Sequence, residues 1–148
     1  MRKLIASLLF LSCLFCAVSG FAQTVECPSA GISLTLPDRF YEIPHLPMDD
    51  PNLVLRYTDN EIDLAVYVSY AGSGSSFMIL TGNEVEYGPV TINGMNMQYA
   101  RGIDEFGPYA TYSWMHAQDN VTLSFVWTGD DAAALTVIDD IMNSITFN

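Results

Sequence analysis

Basic side chains are scarce in this sequence of 148 residues, which has 17 acidic residues. Lys3 is the only lysine, and the arginines beyond residue 22 are Arg39, Arg56 and Arg101. Nucleic-acid backbones and anionic lipid surfaces are bound chiefly through clusters of Lys and Arg. We therefore exclude nucleic acid and anionic membranes as partners, together with Schiff-base catalysis by lysine and phosphate binding by a P-loop.

Cysteine is also scarce, with three in the sequence. Cys13 and Cys16 lie in an N-terminal apolar segment, and Cys27 follows in a stretch that we expect to be loose. Once that segment is removed, no second thiol is left for an intrachain disulfide. We interpret Cys27 as a tolerated or partly shielded residue, with pairing between chains as the alternative.

Long apolar runs are missing except at the N-terminus. There a largely apolar run, Leu4 to Val18, follows two basic residues and precedes small residues at positions 20 and 22. This order is typical of a secretory signal peptide over residues 1–22, and the run is shorter than the ~20 residues of a spanning helix. We expect export to the periplasm or out of the cell, no membrane span, and a single α+β domain over residues 23–148. A lipid anchor on Cys13 or Cys16 stays open as an alternative.

Removal of this leader would change the formal charge from −12 to −14, because it carries two basic and no acidic residues. Charge repulsion of this size keeps a protein soluble, and this is the interpretation we favour. A cationic partner or metal ions are the alternative explanation.

β-Strand patterns dominate the second half of the chain. Residues 90–128 contain apolar and aromatic runs separated by three breaks, at Asn93-Gly94, at residues 102–108 and at residues 118–120. Asn-Gly between apolar segments is the strongest short-range signal for a β-hairpin. We predict an antiparallel meander of four strands that forms the scaffold of the fold.

Shorter strands precede the meander. Alternating apolar and polar residues predict them at residues 32–36, 53–57 and 62–70. The last of these is apolar on both faces, which is typical of a central strand. Residues 38–52 are rich in proline and predict a long loop with a helical turn near residues 39–42, whose Phe40 and Tyr41 pack onto the core. Residues 72–76 predict a flexible connector.

After Gly129 the apolar period becomes that of an amphipathic helix. Asp130 and Asp131 suit the positive end of a helix, whereas Asp139 and Asp140 oppose its negative end. We predict a helix over residues 131–143, followed by an extended tail.

Several segments occur in an order known from one protein group. They are a strand ending in Leu36-Pro37, a hairpin at 53–70, the turn Val90-Thr91-Ile92-Asn93-Gly94, two long strands with Trp114 and Trp127, and the helix end Ile141-Met142-Asn143-Ser144-Ile145. This order resembles the Mog1/PsbP-like group, which includes DcrB-related small secreted proteins. The resemblance implies an antiparallel sheet flanked by helices and an accessory or binding module without a shared catalytic set. Members usually carry a helix before the meander, but residues 71–89 have no helical stripe, so one sheet face is expected to be less covered.

No segment carries a catalytic set. His45 lies in the proline-rich loop and His116 near a strand end, and neither has a local nucleophile or a second ligand at zinc-binding spacing. A small hydrolase that pairs a carboxylate with one of these histidines is an alternative. It requires the histidine to lie beside a carboxylate in a pocket.

Weak metal binding is a further alternative, although we predict no cofactor. Oxygen-rich turns bind Ca²⁺, and one turn carries alternating carboxylates, Asp59, Glu61 and Asp63. Thioether sulfur binds Cu(I), and neighbouring strands carry methionines, Met95, Met97 and Met115, with His116 beside the last. We interpret the first group as a solvated turn and the second as core filling.

Our leading hypothesis is an exported, non-enzymatic module that binds a partner protein or a small ligand. The candidate ligand-binding residues are aromatic positions of the meander, Tyr99, Tyr112, Trp114 and Trp127. Aromatic rings on a poorly covered sheet face form a recognition surface. The identity of the ligand and the oligomeric state are not predicted.

Overall fold

Two antiparallel β-sheets and a C-terminal helix make up the computed structural model, which describes residues 22–70 and 84–148. The strands in chain order are β1 (Ala22–Cys27), β2 (Ile32–Pro37), β3 (Tyr41–Glu42), β4 (Leu53–Thr58), β5 (Ile62–Tyr70), β6 (Glu84–Ile92), β7 (Met95–Asp104), β8 (Gly107–His116), β9 (Asp119–Trp127) and β10 (Thr146–Phe147). The helix is α1 (Asp131–Asn143), and a 3-10 turn, Pro28–Ala30, joins β1 to β2. The fold is α+β, as the sequence predicts.

The larger sheet has seven strands in the order β3-β4-β5-β9-β8-β7-β6. The predicted meander is confirmed, because β6 to β9 pair with one another in chain order. At its first turn Asn93 has φ 49° and Gly94 has φ 83°, the left-handed backbone that an Asn-Gly hairpin requires. The next two turns are shorter than predicted, because β7 continues to Asp104 and β9 already begins at Asp119.

β5 lies inside this sheet, between β4 and β9, as its apolar faces predict. Its core-facing residues pair with the largest buried side chains of β9: Ile62 with Trp127, Leu64 with Phe125 and Val66 with Leu123. Burial of one such side chain stabilises a fold by ~1.5–3 kcal/mol. These cross-strand pairs therefore hold the centre of the core.

The smaller sheet and α1 contribute to the same core. This sheet has the order β1-β2-β10, and its central strand buries Ile32, Leu34 and Leu36. The helix begins and ends as predicted, and its buried side chains are Ala134, Ile138, Ile141 and Met142. A single hydrophobic cluster joins residues of both sheets and the helix.

The N-terminal stretch is not loose, which corrects one prediction. β1 pairs with β2 over its whole length, from Ala22 opposite Pro37 to Cys27 opposite Ile32. The Cys27 side chain is 3% exposed and belongs to the core. Burial removes this thiol from contact with oxidants and other chains, which favours the shielded interpretation over pairing between chains.

The predicted helical turn near residues 39–42 is also wrong. Arg39 donates from Nε to Asp59 Oδ2 at 2.7 Å, and the chain then continues as β3, which pairs with β4. Successive side chains of an extended chain point to opposite sides. Accordingly Phe40 is buried, whereas Tyr41 is 49% exposed and does not pack into the core.

Other predicted segments lie outside the described residues. These are the leader up to residue 21 and residues 71–83, which include the predicted connector. Within the described residues, no helix combines the length and apolar character needed to cross a bilayer.

Candidate functional site

The four predicted aromatic positions face the core side of the large sheet. Tyr112, Trp114 and Trp127 are 5%, 3% and 1% exposed, and Tyr99 is half-buried. The rings of Tyr99 and Tyr112 have centroids 5.0 Å apart, and Trp114 packs edge-on against Phe147 of β10. Trp127 lies at the far end of β9, where its Nε1 donates to Asp131 Oδ1 at 2.9 Å.

The expectation of an open aromatic face is therefore wrong for three of these residues. The strand register places them on the face that packs against the small sheet and α1, so their rings fill the interior. Trp114 Nε1 is buried and has no hydrogen-bond partner in the described part of the chain. A direct role of Tyr99, Tyr112, Trp114 and Trp127 in ligand binding stays a prediction.

Neither histidine belongs to the lining of the two cavities described below, although His116 is the register partner of Asp119 across the β8–β9 hairpin. His45 is exposed in the loop before β4. The His116 ring lies against Gly31, where a Cβ atom would overlap it, and Gly31 has φ 66°. His116 thus closes over the turn between β1 and β2, which gives it a packing role.

One carboxylate of the β4–β5 turn, Asp59, already accepts hydrogen bonds from other groups of the protein. Asp59 accepts hydrogen bonds from the Glu61 and Ile62 N–H groups at 2.9 and 2.7 Å, in addition to the bond from Arg39. Burial alone would raise the pKa of Asp59, but these bonds together lower it below its ordinary value of 3.8. Its oxygen atoms are occupied, so the geometry gives no support to Ca²⁺ at this turn.

Copper binding by the methionines has no geometric support either. Met97 is 2% exposed on the core side, whereas Met115 is 48% exposed on the opposite face of the sheet. No cluster of three or more His, Cys, Asp or Glu residues suited to a metal ion occurs within 22–70 and 84–148.

A groove on the other face of the large sheet is our candidate site, and we call it the outer-face groove. Its floor is the pair Ala65 on β5 and Ser124 on β9, which are register partners. Cross-strand partners point to the same side, and both of these side chains are small, so a hollow forms between their larger neighbours. The cavity volume is about 300 Å³.

The walls of the outer-face groove come from four parts of the chain. They are the loop before β4, strands β4 and β5, the turn after β7, and β9; the wall residues are Asp49, Asp50, Leu53, Arg56, Asp63, Tyr67, Phe106 and Val126. Phe106 is 75% exposed at the tip of its turn. That turn is fixed by Asp104, whose Oδ1 accepts from the Phe106 N–H at 2.8 Å. The turn therefore holds an aromatic ring at the rim.

The loop that carries Asp49 and Asp50 is fixed by its own carboxylates. Asp49 Oδ2 accepts from the Leu46 N–H at 2.6 Å, and Asp50 Oδ1 accepts from the Asn52 N–H at 2.8 Å. Asp side chains commonly close turns in this way. One oxygen atom of each carboxylate is used, and the other is left for solvent or a ligand.

The charge of the outer-face groove is negative. The one cation among its described lining residues, Arg56, lies 3.4 Å (Nη2 to Oδ2) from Asp63 on the neighbouring strand. Asp49 and Asp50 have no cationic partner within the described ranges. The pKa of Tyr67 is raised, first by burial and then by the charges of Asp50 and Asp49, although Arg56 opposes the effect. The groove thus carries a negative field.

A second, wider cavity of about 490 Å³ lies near the start of the described chain. Its lining includes Ala22, Gln23, Tyr41 and Tyr57. A signal cleavage between Ala22 and Gln23, which stays a prediction, would remove one of these lining residues. The described lining residues of the outer-face groove lie between positions 49 and 126, so none of them would be removed by that cleavage.

Sequence reasoning missed the outer-face groove. The hairpin pattern of 53–57 and 62–70 was sufficient to predict β4 and β5. The register of these strands, which was not predicted, places Arg56 opposite Ala65 and diagonal to Asp63. No sequence pattern indicated that Asp49, Asp50 and Phe106 approach the same face, because two separate loops carry them there. A small residue on a central strand, such as Ala65, is the one sequence feature that indicates a groove at this place.

Solved structures with the same arrangement exist. PsbP (CyanoP) from Synechocystis sp. PCC 6803 matches with a TM-score of 0.64 and 10% identity, over 90% of this chain and 96% of that one. The Ran-binding protein Mog1p of Saccharomyces cerevisiae matches with a TM-score of 0.51 and 10% identity, over 87% of this chain and 96% of that one. The chain has the Mog1/PsbP-like fold. The resemblance noted from the sequence is therefore confirmed for the fold.

A third structure, from Bacteroides thetaiotaomicron VPI-5482, has a TM-score of 0.54 and 14% identity. The match covers 85% of this chain and 48% of that protein. Comparison with family models and with curated proteins gives no match. At such low identities the Mog1/PsbP-like structures share the fold with this chain, and their own partners are not transferred to it.

Proposed function

We propose that this protein is an exported, non-enzymatic binding module that holds a partner protein at the outer-face groove. The observation that carries the proposal is the groove itself, a preformed hollow with acidic walls and an exposed aromatic ring. Exposed aromatic residues beside a hollow are typical of protein-binding surfaces. A small ligand in the same groove is the second occupant that we consider.

The absence of both histidines from the lining of the outer-face groove counts against the hydrolase alternative, which pairs a carboxylate with His45 or His116. General acid–base or nucleophilic catalysis requires a base within hydrogen-bond reach of the reacting group. The lining of the outer-face groove offers carboxylates, one tyrosine and one serine, but neither His45 nor His116. The hydrolase alternative is therefore the weaker proposal. The likeness to a Ran-binding protein, Mog1p, is compatible with a protein partner.

The decisive experiment is site-specific photocrosslinking in the producing cells. A benzophenone amino acid replaces Phe106 at the groove rim and, as a matched control, Tyr87, an aromatic residue on β6 that is 57% exposed. We expect one adduct of defined mass from position 106 and none from position 87. Equal adducts from both positions, or none from either, contradict a partner at the groove.

Export is tested separately by cell fractionation and by N-terminal sequencing of the recovered protein. The proposal requires the protein outside the cytoplasm, with a new N-terminus close to Gln23. Cytoplasmic protein that retains residues 1–22 contradicts it.

A further inference from the structure

The charges around the outer-face groove determine what kind of side chain it accepts. Beyond residue 22 the sequence offers three arginines and no lysine. Arg39 is bound to Asp59, and Arg56 lies beside Asp63. Arg101 is on β7 and points to the core side of the sheet, since its register partner is Ala110. Among residues 22–70 and 84–148, no basic side chain forms an ion pair with Asp49 or Asp50.

The apolar and aromatic parts of the outer-face groove complement those two carboxylates. Ala65 and Val126 offer an apolar surface for an alkyl chain, and the Tyr67 and Phe106 rings stand on its sides. A cation is attracted to the face of an aromatic ring, and lysine and arginine pack their methylene stems against apolar surface while the charged end stays near water. A hollow of about 300 Å³ is large enough for one such side chain.

We propose that the outer-face groove binds a lysine or arginine side chain of a partner protein, with its stem over Ala65 and Val126 and its charge at Asp49 and Asp50. This inference rests on the proposed function and specifies the chemistry of the partner. It also gives the acidity of the protein a specific role, because a strong negative charge speeds the approach of a basic surface. The partner is thus a protein with an exposed basic patch.

The first test is an NMR titration of the uniformly ¹⁵N-labelled protein with Nα-acetyl-lysine methylamide. The matched probe is the norleucine analogue, which has the same stem without the charge. We expect the lysine probe to shift the amide signals of Ala65, Tyr67 and Ser124, with a Kd on the order of 1 mM. Equal shifts with norleucine, or shifts confined to other parts of the sheet, overturn the inference.

Paired variants separate a specific site from general charge attraction. In the Asp49→Asn/Asp50→Asn protein the side-chain oxygens still accept the Leu46 and Asn52 N–H bonds, so the loop keeps its shape. The control, Asp139→Asn/Asp140→Asn, removes the same charge from the exposed end of α1. We expect the groove variant to bind lysine about tenfold more weakly, and the control less than about twofold. If both variants bind lysine equally weakly, binding depends only on the net charge of the protein, and the inference is overturned.

The same variants distinguish failure of this inference from failure of the proposed function. If the position-106 adduct forms equally in the wild type and in the Asp49→Asn/Asp50→Asn protein, the partner is bound without a basic side chain in the groove and only this inference fails. If lysine binds in the groove but no adduct forms in cells, the groove chemistry stands and the proposed partner protein is refuted.

Discussion

Asp59 fixes the β4–β5 hairpin, and its substitution tests how much its hydrogen bonds and ion pair stabilise the fold. Its side chain is 2% exposed, whereas that of its ion-pair partner Arg39 is 52% exposed. Three donors meet it: the Glu61 N–H, the Ile62 N–H and Arg39 Nε. Asp59→Ala removes the acceptor for all three, and Asp59→Asn keeps an oxygen for the turn but removes the charge.

The expected loss in the free energy of unfolding depends on which of these three donors finds a new partner after Asp59→Ala. Arg39 is half exposed, so water replaces much of its bond to Asp59, and an exposed ion pair stabilises by ~0.2–1 kcal/mol. The two turn N–H groups share one charged acceptor, Asp59 Oδ1, and we count them together as one hydrogen bond to a charged group, which contributes ~1.5–3 kcal/mol. We expect a loss of about 2 kcal/mol for Asp59→Ala and about 1 kcal/mol for Asp59→Asn in the free energy of unfolding.

Urea unfolding followed by tryptophan fluorescence measures this loss, because Trp114 and Trp127 are both buried. At this chain length about 1 kcal/mol corresponds to roughly 4 °C in Tm. Glu61→Gln is the matched control, since it removes the same charge from an exposed neighbour and should change stability by less than ~0.5 kcal/mol. A loss below that value for Asp59→Ala refutes the role we give to Asp59.

The pH dependence provides a second check with a fixed sign. The pKa of Asp59 is lower in the folded protein than its ordinary value of 3.8, so folding favours the charged carboxylate. Its stabilisation is complete above that ordinary value and is lost as pH falls through the folded pKa. The difference in stability between wild type and Asp59→Ala should therefore shrink as the pH is lowered from neutral to below 3.8. A difference that stays constant over this range contradicts the argument.

Three further substitutions test other parts of the fold by urea or thermal denaturation. Gly31→Ala should lower the free energy of unfolding by at least ~2 kcal/mol, because alanine is strained at φ 66° and its Cβ overlaps the His116 ring. Adding His116→Ala removes the overlap but not the backbone strain, so it should restore only part of this loss. Asp130→Ala should lose ~1 kcal/mol, since Asp130 Oδ1 caps α1 at the Ala133 N–H, and Asp130→Asn should lose little. Leu123→Ala should lose ~2–5 kcal/mol because it leaves a cavity at a fully buried position on β9, whereas a loss below ~1 kcal/mol would mean that the centre of the core is loosely packed.

The parts of the fold that the sequence predicted are those set by local patterns. Asn93-Gly94 determines a turn by backbone geometry. The start of α1 is marked by Asp130 and by the change of apolar period after Gly129. β1 was missed because the alternation in Gln23 to Cys27 is weak and its pairing with β2 is what orders it. Short edge strands such as β3 and β10 are likewise held by their neighbours.

The candidate site was predicted poorly for a different reason. Trp114 and Trp127 were predicted as site residues because they are aromatic. A large ring on a strand can lie on either face of the sheet, and the strand pattern alone did not show which face packs against the rest of the protein. The groove that the structure offers depends on loops from distant parts of the sequence, where Asp50 and Phe106 approach the same face. Such convergence is tertiary, and no local pattern encodes it.

The floor of the outer-face groove consists of two small side chains, so one substitution there could create or remove the groove. Ala65 and Ser124 are partly exposed on strands whose alternate residues form the core, so their size can change without disturbing Leu64 or Phe125. A single larger side chain at position 65 would fill the hollow and leave every charge in place. Proteins of this fold can therefore differ in whether they have the groove at all, and a designer could erase or enlarge it through one strand position.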